Sequence, residues 1–212
     1  AGLIEADAGV VRYGQRILPR IPLADRARMI GYLPQDGAVH WNIGVRDLVA
    51  LGRLPHRSPF AGPSAEDKSA VTVALAATDT LALADRRVDE LSGGERARVL
   101  LARVMAGQPD WLLADEPLAS LDPVHQIDML DQFRLLARSG MGVVIVLHDL
   151  IHAARAADDI LLLKEGHLAA AGPASEVLAP DPLREAFGIE VMMTMTTADG
   201  PLLPIPMGRA PG

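Results

Sequence analysis

At 212 residues the chain is long enough for one large domain, or for one domain with an inserted lobe. Half of its residues are apolar and 22% are charged, a globular balance that excludes wholesale disorder. A net charge of −7 argues against a nucleic-acid partner, and the lack of cysteine excludes disulfides and thiolate metal sites.

In chain order, Ala1-Gly2-Leu3-Ile4 reads as the end of a helix, and no secretory signal opens the sequence. Two short apolar stretches between Gly9 and Leu18 flank Tyr13-Gly14-Gln15, which predicts a hairpin turn. Ile30 to Leu33 is a strand stopped by Pro34. Val45, Leu48, Val49 and Leu51 predict an amphipathic helix ending at Gly52, followed by a loop from Leu54 to Pro63. Further helices are predicted over Glu66 to Thr78 and from Ser92 to Gly107.

The second half alternates strand and helix, the pattern of a parallel sheet. Trp111 to Ala114 and Gly142 to Leu147 are continuous apolar runs, read as strands buried on both faces. Helices follow at Val124 to Arg138 and Leu150 to Ala157. Ile160 to Leu163 and Leu168 to Ala171 form a hairpin about Glu165-Gly166, Ser175 caps a short helix, and Asp199-Gly200 marks a last hairpin turn. Met192, Met193 and Met195 read as apolar strand packing. The longest apolar runs, such as Val143 to Leu147, are too short to span a bilayer, so the chain would meet a membrane only through a partner.

Several of these elements end in residues with chemistry to offer. Ser92-Gly93-Gly94-Glu95 is a capping box, and its two glycines leave helix N–H groups bare for an anion. Taken alone, Ser-x-x-Glu is more often a simple cap. The strand Leu112 to Ala114 runs into Asp115-Glu116-Pro117, placing two carboxylates at the carboxyl edge of a sheet, where α/β proteins bind ligands. Asp115 suits a magnesium site and Glu116 suits activating a water molecule, though a solvated loop would look the same. Val143 to Leu147 runs likewise into His148-Asp149, where the imidazole could donate to a phosphate oxygen. His148 and His152 are four apart on the predicted helix, a metal-binding spacing with no third ligand nearby.

The order and spacing of Gln35, Ser92-Gly93-Gly94-Glu95, Asp115-Glu116 lying 23 residues beyond Ser92, Ser120-Leu121-Asp122 and His148 closely resemble the ABC ATPase family over essentially the whole chain. In that family's terms these are the Q-loop, signature motif, Walker B, D-loop and H-loop. The resemblance implies an α/β P-loop ATPase fold with a RecA-like parallel sheet core, a helical lobe and an antiparallel β lobe. It divides the chain into residues 1–36 (remnant of the β lobe and Q-loop strand), 37–104 (helical lobe with the signature motif), 105–172 (core with Walker B and H-loop) and 173–212 (C-terminal helix and hairpin).

By the same resemblance the ligands are ATP and Mg2+. Glu116 would be the general base, His148 would contact the γ-phosphate, and Gln35 would contact the magnesium or the water. Asp115 would be a magnesium-site residue. Ser92, Gly93, Gly94 and Glu95 would meet the ATP of a second ATPase subunit, with Asp122 at that interface. Partners would be integral-membrane permease subunits, a second copy of the chain and, indirectly, a periplasmic or surface substrate-binding protein. The location would be peripheral, on the cytoplasmic side of a bacterial membrane. Leu51-Gly52-Arg53-Leu54-Pro55-His56 before Glu66-Asp67 is similar to a stretch in importers of iron–siderophore complexes, haem and cobalamin, although a proline-terminated helix end would account for it too.

The sequence departs from the family at one place. Lys68 and Lys164 are its only lysines, and neither lies in a Gly-x-x-x-x-Gly-Lys loop. The expectation is an N-terminal truncation that removes the P-loop strand and helix, leaving a chain that folds poorly and does not hydrolyse ATP alone. Two alternatives stay open at this point: a non-hydrolytic subunit lending its signature motif to a partner, and a soluble ABC ATPase without a transport role.

Overall fold

The computed structural model describes residues 2–35, 43–58, 62–119, 121–195, 197 and 200–210. They form two compact units, Ala1–Val146 and Leu147–Gly212. The first begins without regular structure. Residues 2–11 hold neither helix nor strand, and Leu3 and Ile4 lie exposed, so the helix end expected there is not formed. The expected hairpin follows: β1 (Arg12–Tyr13) pairs antiparallel with β2 (Arg16–Ile17), and Gly14 takes a left-handed φ of 56°.

Next comes α1 (Leu23–Met29), which the hydrophobic pattern did not announce. Its only large apolar side chains are Leu23, which is exposed, and Met29, which is buried. Met29 packs with Leu18, Ile21 and Ile30 into a small core closed by Tyr13 and Trp111, whose rings meet edge to face with centroids 5.4 Å apart. The chain then enters β3 (Ile30–Leu33).

Three helices follow. α2 (Val45–Ala50) and α4 (Gly93–Ala106) pack around α3 (Ala65–Ala77), burying Leu48, Val49, Leu75, Val99 and Leu101 almost completely. Each such side chain contributes about 1.5–3 kcal/mol of transfer free energy. Gly52 does not end the second helical run as expected. The backbone tightens instead into a 3-10 turn over Leu51–His56, and the predicted loop begins only after it; residues 59–61 of that loop lie outside the described residues.

Gly52 is required there for a different reason. A Cβ at this position would overlap the carbonyl oxygen of Arg103 on α4. Gly52→Ala is therefore expected to destabilise the protein by about 1–3 kcal/mol, the usual cost of overpacking. Gly62→Ala, whose added carbon meets nothing within 4 Å, serves as the control. Equal melting temperatures for the two variants would contradict this packing.

The remaining elements of the first unit are β4 (Trp111–Asp115), α5 (Pro123–Arg138) and β5 (Gly142–Val146). β3, β4 and β5 form a parallel sheet in that order. β4 lies in the middle, with Leu112 and Ala114 buried. β5 departs from the expectation of burial on both faces, because Val144 and Val146 are each 48% exposed. Among the described residues it has a partner strand on one side only.

In the second unit, α6 (Leu150–Ala156) precedes β6 (Asp159–Lys164) and β7 (His167–Pro173), which pair antiparallel about Glu165-Gly166. Both turn residues have positive φ, 50° and 79°, as a two-residue hairpin turn requires. Next come α7 (Ala174–Val177), α8 (Pro180–Phe187), which ends at Gly188 in the left-handed region, and the antiparallel pair β8 (Ile189–Met195) and β9 (Leu202–Arg209). Their shared core is Ala154, Leu162, Val177, Leu178, Leu183, Ala186 and Leu203. Ser175 does not cap α7; Pro173 holds that position, and Ser175 lies within the helix. Met192 and Met195 are more than half exposed and Met193 is half-buried, so the expected packing fails for two of the three methionines. Asp199 lies outside the described residues.

Candidate active site

Strand register assembles the first part of the site. Leu33 of β3 pairs with Ala114 of β4, so the chain positions two beyond each strand residue, Gln35 and Glu116, emerge side by side. The Gln35 amide Nε2 donates to Glu116 Oε2 at 2.7 Å. One residue before Leu33 and one beyond Ala114, the Tyr32 hydroxyl lies 3.3 Å from Asp115 Oδ2 and donates to it. Burial and the neighbouring Asp115 carboxylate both push the Tyr32 phenol pKa up. In the sequence Tyr32 is only one residue of the strand Ile30 to Leu33; parallel pairing of the two strands is the signal that links it to Asp115.

Glu116 has a left-handed φ of 44°, unusual for a residue with a side chain. Its N–H donates to the Val146 carbonyl of β5 at 3.2 Å, and its own carbonyl accepts the Ala119 N–H. The backbone thus turns sharply at the end of the sheet with the carboxylate beside Gln35. Strain of this kind concentrates where surrounding structure fixes a functional side chain.

The second part is the start of α4. Ser92 caps it as expected: Ser92 Oγ accepts the Glu95 N–H at 3.2 Å, and Glu95 Oε2 accepts the Ser92 N–H at 2.8 Å. These bonds hold the Glu95 carboxyl below its ordinary pKa, with Arg86 adding to the effect from 3.6 Å. Ser92 and Gly93 are exposed, whereas Gly94 is buried.

The third part is the start of α5. Asp122 caps it, with Oδ1 accepting the N–H groups of Val124 and His125 and Oδ2 lying 2.8 Å from His125 Nδ1. Its carboxyl pKa is lowered, chiefly by the His125 N–H and imidazole. Ser120 lies outside the described residues.

His148 belongs to the second unit and is exposed. It precedes α6 rather than sitting on it. Asp149 is the cap, accepting the His152 N–H at 2.8 Å, so the two histidines do not share the helical face that a four-residue spacing implied. Among the described residues no group of three or more His, Cys, Asp or Glu could hold a metal.

The Leu51-Gly52-Arg53-Leu54-Pro55-His56 stretch turns inward. Arg53 is only 2% exposed. Its Nε lies 2.8 Å from Asp67 Oδ1, and its Nη1 donates to the Ala106 carbonyl at 3.1 Å and to Gln108 Oε1 at 2.7 Å. His56 Nε2 sits 2.8 Å from the Gly107 carbonyl. The stretch therefore satisfies carbonyls left open at the C-terminal end of α4 and ties that end to Asp67 in the first turn of α3.

A magnesium ion carried with nucleotide phosphates asks for few protein ligands, all oxygen. Asp115 supplies a half-buried carboxylate at the sheet edge, and Gln35, with its nitrogen given to Glu116, retains an amide oxygen. The donor set fits such an ion.

The sequence matches the ABC transporter family over residues 1–119. It is 39% identical over 213 residues to the hemin import ATP-binding protein HmuV of Bordetella parapertussis, an alignment covering 96% of this chain and 80% of the relative. This chain belongs to the ABC transporter family. It is an ATP-binding subunit of that family, of the kind that energises import. The ferric enterobactin transport ATP-binding protein FepC of Escherichia coli strain K12 is 40% identical over 184 residues, 86% of this chain and 68% of the relative. Among solved structures, an inward-facing ABC transporter assigned to the metal-chelate type superposes with a TM-score of 0.78 at 27% identity, covering 84% of this chain and 72% of that one. Membership implies ATP as the ligand and membrane permease subunits as partners. No described helix of the cassette is itself long and apolar enough to cross a membrane.

Proposed function

We propose that this cassette hydrolyses ATP to drive uptake of haem or a related iron complex, with Glu116 as general base. The observation that carries the site is the Gln35–Glu116 hydrogen bond at the carboxyl edge of the sheet, beside Asp115. A carboxylate in that place can accept the proton of an attacking water, and the amide beside it can hold the water in line. Asp115, with Gln35, would hold Mg2+. The ion would neutralise charge on the transferring phosphoryl group. His148 would contact the γ-phosphate.

Ser92, Gly93, Gly94 and Glu95 would meet the nucleotide of a second, identical subunit, with Asp122 at the same interface. The bare N–H groups at the start of α4 and the helix dipole support an anion there. The P-loop grip on the phosphates is not among these 212 residues. The subunit would sit on the cytoplasmic face of a membrane, bound to permease subunits that receive cargo from a binding protein. The iron-complex cargo is supported by the similarity to hemin and ferric enterobactin import proteins.

The test is ATPase activity of the complete transporter in liposomes. Haem-loaded binding protein is expected to raise turnover several-fold over binding protein without haem. Stimulation by a ferric siderophore complex but not by haem would move the assignment to that cargo; no response to either would remove the iron-complex reading.

A further inference from the structure

We infer that His125 is a positioning residue of the ATPase: held by Asp122, its imidazole packs against Gly94 and sets the place of the signature helix. Three observations carry this. First, the ring is fixed from its own helix, because Asp122 Oδ2 lies 2.8 Å from Nδ1 while Oδ1 accepts the Val124 and His125 N–H groups, each at 3.1 Å. Swinging the ring away would break a bond to a carboxylate already committed to capping α5. Second, the other edge of the ring occupies the space in which a side chain on Gly94 would stand; an added Cβ would overlap Cδ2, Cγ and Nε2 of His125. Third, Gly94 is buried although Ser92 and Gly93 are exposed, so the ring covers one glycine and leaves the anion-receptive end of α4 open.

The second glycine of Ser92-Gly93-Gly94-Glu95 thus has a structural cause apart from nucleotide. It lets the imidazole come into contact with the helix backbone. His125 in turn gives the first turn of α4 a wall, and through Asp122 it connects that turn to the loop entering α5. Nothing in the side-chain chemistry of His125 has to reach the phosphates for it to influence them. It acts by holding the N–H groups that do. Gln126 supports the same loop from the next position, with its Nε2 donating to the Leu118 carbonyl at 3.2 Å.

The kinetic half of the test rests on the ATPase reading; a second half does not. In the complete transporter, Gly94→Ala is expected to lower kcat at least about tenfold, and adding His125→Ala is expected to restore about tenfold of that loss. His125→Ala alone should lower kcat a few-fold with KM for ATP unchanged. His125→Asn, which can still donate to Asp122, should remain within about twofold of the parent. A double variant no faster than Gly94→Ala alone would overturn the inference, since the glycine would then serve the nucleotide only. Melting temperatures of the parent, the two single alanine variants and the double variant provide the independent half. Gly94→Ala and His125→Ala should be non-additive, the second relieving the first. Additive melting shifts overturn the inference, whereas absent turnover in the parent overturns only the ATPase reading.

Discussion

Glu116→Gln in the complete transporter is expected to lower ATP turnover by about 10²–10⁴-fold, the range contributed by a positioned general base, while ATP binding survives. The substitution keeps the size of the side chain and keeps an oxygen for the Gln35 amide, which donates to Glu116 at 2.7 Å. It removes the capacity to accept a proton. The left-handed turn at Glu116, φ 44°, is a backbone property and should persist in the variant. Turnover and binding of a fluorescent ATP analogue, measured on the same preparation, separate the two effects. Turnover near the parent value would assign the base elsewhere, with His148 the next group to replace.

Arg53→Ala should be the most destabilising single substitution in the helical part of the first unit. Its guanidinium is 2% exposed and bonds to Asp67, the Ala106 carbonyl and Gln108. Removing one partner of a buried pair costs about 3–5 kcal/mol, because the other is left without compensation. The loss also has a signature in acid. Hydrogen bonding from Arg53, then from the Ser64 backbone, lowers the Asp67 carboxyl to about 2. An unfolded aspartate titrates at about 3.9. A depressed folded value adds stability above the unfolded pKa and loses it as pH falls toward the folded one. The parent should therefore shed this contribution between about pH 4 and pH 2. Arg53→Ala should show lower stability at pH 7 and a shallower decline across that window, both readable by urea denaturation at fixed pH. Parallel stability profiles for the two proteins would show that the pair is not what holds the three helices.

Much of the fold could be read from residue patterns, for reasons that differ by element. The capping box of α4 is local: Ser92 and Glu95 need only three residues of spacing to recognise one another. The hairpin about Glu165-Gly166 is local in the same sense. Helix α1 escaped because Leu23 points to solvent and no apolar stripe results. The exposure of β5 escaped because a run of valine and isoleucine looks the same whether or not a neighbour covers it.

The site divides along the same line. Which residues might do chemistry was legible from order and spacing, but who touches whom was not. The Gln35–Glu116 and Tyr32–Asp115 bonds join residues 81 and 83 apart, and they follow from the register of two parallel strands. Arg53 looked like part of a cargo-class signature and turned out to be a buried clasp. His125 attracted no notice, since a histidine three residues after a helix cap is ordinary until Gly94 is found beneath it.

The one-sided strand β5 has a practical side. Gly142 to Val146 contains no charge and no proline, Val144 and Val146 face outward, and one row of backbone donors and acceptors is uncovered among the described residues. Such a ribbon is adhesive toward any extended chain that meets it, including another copy of itself. For these 212 residues as an isolated polypeptide, those five residues are the margin of the sheet open to further pairing. Solubility, storage concentration and the choice of fusion neighbour all become questions about who reaches that margin first.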